Sequence, residues 1–124
     1  MSTVYDEVGE EGFRRLVADF YAAVATDPVL RPLYPKDMES SKEHLRLFLV
    51  QYWGGPGTYS EQRGHPRLRM RHMPFAIGRR ERDAWFQHMT AAVRSLELRP
   101  EVEAALLEYF EGASLGLMNR VELT

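Results

Sequence analysis

The sequence predicts an all-α protein, and three observations lead to that fold class. Apolar residues recur every three or four positions in four long segments, no run alternates convincingly with period two, and Pro or Gly stands near most segment ends. The 124 residues suffice for one core, so we expect a single domain over residues 1–124. Hydrophobic residues make up 44% and charged residues 27%, a balance that excludes a largely disordered chain.

The first two long helices are predicted from the spacing of their apolar side chains. The first covers residues 10–25, where six apolar side chains share one face. It stops before Pro28, and Asp27 is expected to cap the N–H groups of the short turn that follows. The second long helix is predicted over residues 39–53 and ends abruptly at a Gly-Gly-Pro sequence.

The remaining helices follow an irregular middle region. Residues 54–66 are rich in Gly, Pro, Ser and Thr and are predicted as a loop, after which a short helix is expected over residues 67–72. Two further long helices are predicted, one over residues 79–96 and one after Pro100. The connection between the second and third long helices is longer than helix bundles usually have, which favours a functional role for it.

Charge is distributed unevenly along the chain. Residues 63–82 contain seven arginines and one acidic residue, Glu81, so this segment carries a net charge of +6 in a chain whose total is −2. Such a split indicates that this region meets an anion. A nucleic-acid partner is not expected, because the whole chain is slightly acidic and carries no recognition motif.

Several kinds of site are excluded by residues that the sequence lacks. Without cysteine there is no disulfide, Cys-ligated metal or thiol nucleophile. Neither Glu-x-x-His nor His-Glu-x-x-His is present, and no serine lies in a Gly-x-Ser-x-Gly motif. No segment approaches the ~18 unbroken apolar residues of a membrane span, and no signal-peptide core is found near the start. We therefore expect a cytoplasmic protein.

A tetrapyrrole remains as a candidate cofactor. One histidine can anchor haem iron, and His72 ends a short segment that offers apolar contacts and arginines. Tyr21, Tyr34 and Trp85 lie on elements that can converge, where two hydroxyls and an indole N–H would stabilise the partial negative charge of bound dioxygen. The ordinary alternatives are a surface or capping histidine and aromatic side chains that only pack in the core.

Four strings of the sequence resemble the truncated haemoglobins, and in particular their group II branch, found in actinobacteria and other bacteria. They are residues 51–56 (QYWGGP), 59–61 (YSE), 64–72 (GHPRLRMRH) and 81–85 (ERDAW). The likeness extends from Tyr5 to the last helix. It implies a globin-like two-over-two helical sandwich around one haem b, with a very short first helix and a loop that replaces much of the proximal helix.

The resemblance also implies roles for individual residues. His72 matches the proximal ligand of the iron, and three aromatic residues match the distal positions that bond a ligand. These residues are Tyr21, Tyr34 and Trp85. Leu45 matches an apolar residue of the distal wall, and Ser41 stands one turn earlier, where members of the family often have alanine. Arg71 and Arg69 are the candidates for pairing with the haem propionates, since arginine geometry suits carboxylates.

A haem globin of this kind is expected to bind dioxygen, CO and NO. Two or three buried hydrogen bonds of about 1 kcal/mol each would slow release roughly ten- to a hundredfold, which favours oxygen or NO chemistry or sensing over bulk transport. The enzymatic alternative is an NO dioxygenase or peroxidase that uses the same site with an unidentified reductase. A non-haem alternative is a helical module whose residues 63–82 dock an acidic partner. The sequence leaves formation of a homo-oligomer open.

Overall fold

In the computed structural model, which describes residues 2–121, every long element is a helix and no strand occurs within that range. Residues 1 and 122–124 of the expected domain lie outside the described part. Six α-helices and one 3₁₀ turn, at Arg31–Leu33, follow one another along the chain. The helices are α1 (Val4–Thr26), α2 (Glu39–Tyr52), α3 (Thr58–Arg63), α4 (Leu68–His72), α5 (Arg79–Arg94) and α6 (Pro100–Gly116).

Helix α1 begins six residues earlier than the sequence predicts, and a glycine explains the difference. Thr3 and Asp6 form a capping box, in which the Thr3 hydroxyl accepts from the Asp6 N–H and the Asp6 carboxylate accepts from the Thr3 N–H. The helical path then breaks at Gly9, whose φ of 74° and ψ of 168° are not helical. A single turn thus precedes the long helical run from Glu10. That turn agrees with the very short first helix that the resemblance implies.

The N-terminal turn packs against the end of α2, where two glycines make room for it. The Tyr5 N–H donates to the Trp53 carbonyl at 3.0 Å. A Cβ on Gly55 would lie 2.6 Å from Val50 Cγ1 and 2.7 Å from the Tyr5 ring, so no larger residue fits there. Gly54 ends the helix with φ at 108°, in the region that favours glycine.

The middle region contains one helix that the sequence analysis missed, because residues 54–66 were expected to form a loop. Helix α3 lies inside it and has only six residues, too few for a periodic signal. It is fixed by contacts distant in sequence: the Gln51 amide donates to Ser60 Oγ at 2.7 Å and accepts from the Ser60 N–H at 2.9 Å. Tyr59 is buried beside Phe48. Helix α4 was expected over residues 67–72 and starts one residue later.

The helices form two packed pairs, α1 with α2 and α5 with α6, and α1 crosses onto α5 to join them. This is the two-over-two sandwich that the sequence analysis expects. The apolar face of each long helix points to the interface between the pairs. The largest fully buried side chains of that core are Phe13, Leu16, Phe20, Leu30, Leu49, Met89, Leu106 and Phe110.

Helix α5 ends two residues before its predicted limit, α6 begins at Pro100, and polar groups join the two helices. Arg82 is buried between the two helices, where its Nε donates to Ser114 Oγ at 2.9 Å and its Nη2 donates to the Glu111 carbonyl at 3.1 Å. At the start of α5, the Glu81 carboxylate accepts from the Gly78 N–H at 2.9 Å. Within residues 2–121, no helix is both long and apolar enough to cross a membrane.

Candidate cofactor site

A cavity of about 360 Å³ opens among the helices, within the usual range for pockets that enclose a small molecule. Side chains from all six α-helices of the described residues line it, together with residues of the connecting segments. Most of the lining is apolar, so a largely apolar ligand would bury its surface there. The apolar lining includes Leu30, Leu33, Leu45, Phe48, Leu49, Leu68, Phe75, Ile77, Phe110 and Leu117.

His72, at the end of α4, lines this cavity with its ring already oriented. Its Nδ1 lies 2.6 Å from the carbonyl oxygen of Leu68, one turn earlier. Because a carbonyl can only accept, Nδ1 carries a proton, and in the neutral imidazole Nε2 keeps the lone pair. Residues 2–121 offer Nε2 no hydrogen-bond partner. An imidazole held in this way by its second nitrogen is the usual arrangement of a metal-ligating histidine.

The segment that carries His72 is held by hydrogen bonds to its backbone, and we refer to residues 63–77 as the histidine segment. Arg71 Nε donates to the Pro66 carbonyl at 2.8 Å, and Arg71 Nη2 donates to the Arg63 carbonyl at 3.3 Å. Arg67 adopts a left-handed conformation with φ at 45°, and its N–H donates to His65 Nδ1. These contacts place α4 against the cavity although the helix has only five residues.

Tyr21, Tyr34 and Trp85 converge on the same cavity, and we refer to them as the aromatic wall. The rings of Tyr21 and Tyr34 meet edge to face with centroids 5.5 Å apart. Phe20 supports the wall from behind, 5.3 Å from Tyr21 and 5.4 Å from Trp85. The sequence analysis placed these three residues on elements able to converge, and the structure brings them together.

Burial raises the pKa of both phenols of the aromatic wall. Burial raises the pKa of Tyr34 to about 12, although the Trp85 indole N–H facing its hydroxyl opposes that rise. Burial, with a smaller contribution from nearby Tyr34, raises the pKa of Tyr21 far above its usual value. The wall therefore presents neutral hydroxyl and N–H groups in a mostly apolar space, where hydrogen bonds are stronger than in water.

The segment that carries Tyr34 is fixed from both of its ends. Asp27 Oδ1 accepts from the N–H groups of Val29 and Leu30 at 2.7 and 3.2 Å, the cap that the sequence predicts. The other oxygen, Oδ2, lies 2.6 Å from Nε2 of His88 on α5. Further on, the Arg31 guanidinium donates to the carbonyls of Tyr34, Pro35 and Lys36.

Helix α2 supplies the polar and apolar residues that the sequence analysis named. Leu45 and Ser41 both line the cavity, one turn apart on this helix. His44 lies between them in sequence and also reaches the cavity. Its pKa is lowered by burial and by the positive charges of Arg63 and Arg71. The neutral ring can then accept a hydrogen bond from Arg63, whose Nη1 lies 2.7 Å from Nε2 of His44.

Arg71 and Arg69 differ in position. Arg71 lines the cavity, whereas Arg69 is exposed and does not. Arg63 also lines the cavity and was not predicted as a site residue. Its Nε is buried and has no hydrogen-bond partner among the described residues, although it stands at the cavity. The charge count of residues 63–82 was the available signal, but Arg63 was assigned to a loop.

We refer to Arg63 and Arg71, which stand beside the neutral His44 ring, as the cationic edge of the cavity. A buried guanidinium N–H without a partner is costly, so it suits an anionic ligand group such as a carboxylate. No group of three or more His, Cys, Asp or Glu side chains able to hold a metal ion occurs within residues 2–121. An iron atom bound to His72 would therefore take its other ligands from a cofactor. The apolar lining, His72 and the cationic edge together fit a haem with its propionates.

Comparisons with known proteins agree with this site. The sequence profile of the bacterial-like globin family matches residues 3–116. A group 2 truncated haemoglobin of Bacillus subtilis, YjbI, is 38% identical and aligns over 95% of this chain and 89% of its own. The crystal structure of a haemoglobin from Chloroflexus aurantiacus has 55% identity and a TM-score of 0.95, covering 97% of this chain and 100% of its own.

The structure of a truncated haemoglobin from Bacillus subtilis, described as oxygen-avid, has 37% identity and a TM-score of 0.91. It covers 95% of this chain and 100% of its own. The resemblance to the group II truncated haemoglobins is thereby confirmed, as is the truncated-globin form of the helical sandwich. This chain belongs to the bacterial-like globin family.

Proposed function

We propose that this globin holds haem b in the cavity through His72 and binds dioxygen, and also CO and NO. Membership of the globin family supports oxygen binding and implies a haem cofactor. The observation that carries the proposal is the 2.6 Å contact from His72 Nδ1 to the Leu68 carbonyl, because it leaves Nε2 ready to ligate iron.

When bound, haem supplies an iron coordination position for a diatomic gas. The chain's own contribution is the aromatic wall, which presents hydroxyl and indole hydrogens in a cavity lined mostly by apolar side chains. These groups donate to a gas molecule that carries partial negative charge, and the apolar lining excludes competing water. Leu45 and Phe48 shape the same space, and Ser41 adds one hydroxyl at its side.

The cationic edge is proposed to hold the propionates. Arg63 has a buried Nε without a partner, and Arg71 is fixed beside it by two backbone carbonyls. Charge-assisted hydrogen bonds from guanidinium to carboxylate would satisfy the unpaired N–H. Arg69, which is exposed, would contribute at most through its charge at a distance.

Slow release of oxygen is the expected consequence of the aromatic wall. With about 1 kcal/mol from each of two or three donors, release slows roughly ten- to a hundredfold relative to a wall without donors. The similar haemoglobin of Bacillus subtilis that is described as oxygen-avid supports the same direction. We therefore propose oxygen or NO chemistry, or sensing, in preference to oxygen transport.

Absorption spectra of the purified protein supplied with hemin test the proposal. The oxidised, reduced and CO-bound forms should each show a Soret band with the shifts expected for a histidine-ligated haem. His72→Ala should lose stable haem, while His65→Asn, which keeps an acceptor for the Arg67 N–H at an exposed position outside the cavity lining, should retain it. Unchanged spectra in the His72 variant would assign the ligand to another residue, and the absence of any Soret band would refute haem binding altogether.

A further inference from the structure

Asn119, just beyond α6, contacts the backbone of the histidine segment through its side-chain amide. Its Nδ2 donates to the carbonyl oxygen of His72 at 3.2 Å and to that of Phe75 at 2.8 Å. Its Oδ1 accepts from the Ile77 N–H at 2.9 Å. One amide thus binds three backbone groups that lie more than forty residues earlier in the chain.

These contacts replace what the short helix α4 cannot supply for itself. The last carbonyls of any helix lack hydrogen-bond partners within it. In a helix of five residues, these are most of the carbonyls. The His72 carbonyl accepts from the Phe75 N–H at 3.0 Å and also from Asn119. The tail adds two backbone bonds, since the N–H groups of Asn119 and Arg120 both donate to the Ile77 carbonyl.

The orientation of the His72 ring depends on the same short stretch of backbone. The ring is held by the Leu68 carbonyl at the start of α4, and the His72 backbone is held by Asn119 at its end. A shift of the His72 backbone would therefore turn the imidazole or break its Nδ1 contact. Asn119 follows α6, and α6 packs on α5, the helix that carries Trp85. Asn119 therefore fixes the position of the His72 backbone relative to the aromatic wall.

We propose that Asn119 is a positioning residue for the axial ligand: its amide fixes the backbone of His72 and so the direction of Nε2. This inference rests on the proposed function, because it assigns His72 to iron. It assigns a role to a residue of the C-terminal tail that is not itself part of the cavity lining and acts on it through backbone hydrogen bonds.

Two variants separate this role from simple anchoring of the loop. Asn119→Leu keeps a similar shape and removes all three side-chain hydrogen bonds. Asn119→Asp keeps an acceptor for the Ile77 N–H but removes both donors to the carbonyls of His72 and Phe75. Arg120→Ala is the matched control, because it removes guanidinium contacts to Asn119 and leaves the amide contacts in place.

Three measurements on the full chain decide the outcome. In the haem-loaded ferrous protein, resonance Raman spectra should show the iron–histidine stretching band shifted or broadened in both Asn119 variants. Haem transfer to an excess of apomyoglobin should be about tenfold faster than for the parent protein. In the haem-free protein, amide exchange at residues 72–77 should also accelerate. Arg120→Ala should change none of these.

The contrary results are equally distinct. If Asn119→Asp behaves like the parent protein while Asn119→Leu only lowers thermal stability, Asn119 merely anchors Ile77 and the positioning role is overturned, with haem binding by His72 untouched. If the parent protein itself shows no iron–histidine band, the proposed function fails, and the positioning role fails with it.

Discussion

The aromatic wall and the histidine segment line one cavity, but different forces hold them. The wall is supported by packing: Phe20 is fully buried against Tyr21 and Trp85, and Phe110 lies 5.8 Å from Trp85. The histidine segment has little apolar support, since Met70 is 57% and Met73 63% exposed. It is held by hydrogen bonds to carbonyls.

This difference predicts which substitutions should destabilise the aromatic wall and which should destabilise the histidine segment. Packing on long helices distributes the stabilisation over many contacts. The aromatic wall should therefore be disrupted only by a substitution that leaves a large cavity in the core behind it. The histidine segment depends on a few polar side chains, so the loss of one should loosen it locally and leave the core intact. Four substitutions test whether packing holds the aromatic wall and a few hydrogen bonds hold the histidine segment, and they follow in order of decreasing expected effect.

Phe20→Ala should have the largest effect, because it removes the ring behind the aromatic wall. We expect the free energy of unfolding, measured by urea denaturation, to fall by about 3–5 kcal/mol. Met70→Ala makes an apolar truncation on the exposed side of α4 and should cost less than about 0.5 kcal/mol. Similar losses in both variants would contradict the claim that only the wall depends on packing.

Arg71→Ala should loosen the histidine segment by leaving the carbonyls of Pro66 and Arg63 without their donors. We expect a loss of about 1.5–3 kcal/mol in the protection of residues 63–72 against amide exchange, with α1 and α5 little affected. Arg69→Ala is the matched control on the same helix and should stay within about 0.5 kcal/mol. A uniform loss of protection across the whole chain would show that the segment is not an independent unit.

Trp85→Phe should keep the packing of the wall and remove one donor. The oxygen dissociation rate, measured by stopped flow after ligand displacement, should rise about fivefold. Trp53→Phe changes the other tryptophan, which does not line the cavity, and should leave that rate unchanged. Equal rates for the Trp85 variant and the parent protein would reduce Trp85 to a packing residue.

Asp27→Asn should have the smallest effect and should depend on pH. The His88 hydrogen bond, joined by the N–H groups of Val29 and Leu30, lowers the pKa of Asp27 below its ordinary value. A carboxyl whose pKa is lowered by folding stabilises the fold above its unfolded pKa of about 3.9 and loses that contribution as the pH falls through the folded pKa.

The parent protein should therefore exceed Asp27→Asn in the free energy of unfolding by up to about 1 kcal/mol at pH 6. The gap should close in urea titrations as the pH falls through the lowered pKa of Asp27. A His88→Phe background, which removes the donor to Asp27 and keeps a ring of similar size, should shrink the gap at pH 6. A gap of the same size in that background would assign the effect to the backbone cap alone.

The same contrast explains how much of the molecule the sequence could predict. Long amphipathic helices such as α5 repeat their pattern over several turns, so their limits were predicted to within about two residues. Helix α3 was not predicted, because its six residues are too few to carry a periodic signal. It is held in place by a hydrogen bond from Gln51 and by the burial of its own Tyr59. The periodicity did not predict the turn before Gly9 for a similar reason, since its support comes from Trp53, and only the resemblance implied a very short first helix.

The residues of the site differ in the same way in how well the sequence could predict them. The residues of the wall lie on predicted helix faces or beside a predicted cap, so their convergence followed from the faces and the resemblance together. Arg69 and Arg71 could not be distinguished, because a five-residue helix does not fix which side chain points inward. Arg63 and Asn119 act through contacts that depend on the folded chain, and no local pattern marks them.

The placement of the two indoles has a practical consequence. The chain contains two tryptophans, Trp85 in the cavity and Trp53 against the ring of Tyr109, 5.5 Å away. Their intrinsic fluorescence can report binding of the cofactor without a label, since haem absorbs at the wavelengths at which indole emits. In Trp53→Phe, the remaining emission would come from the cavity itself, so loading and leakage could be followed in real time without chemical modification.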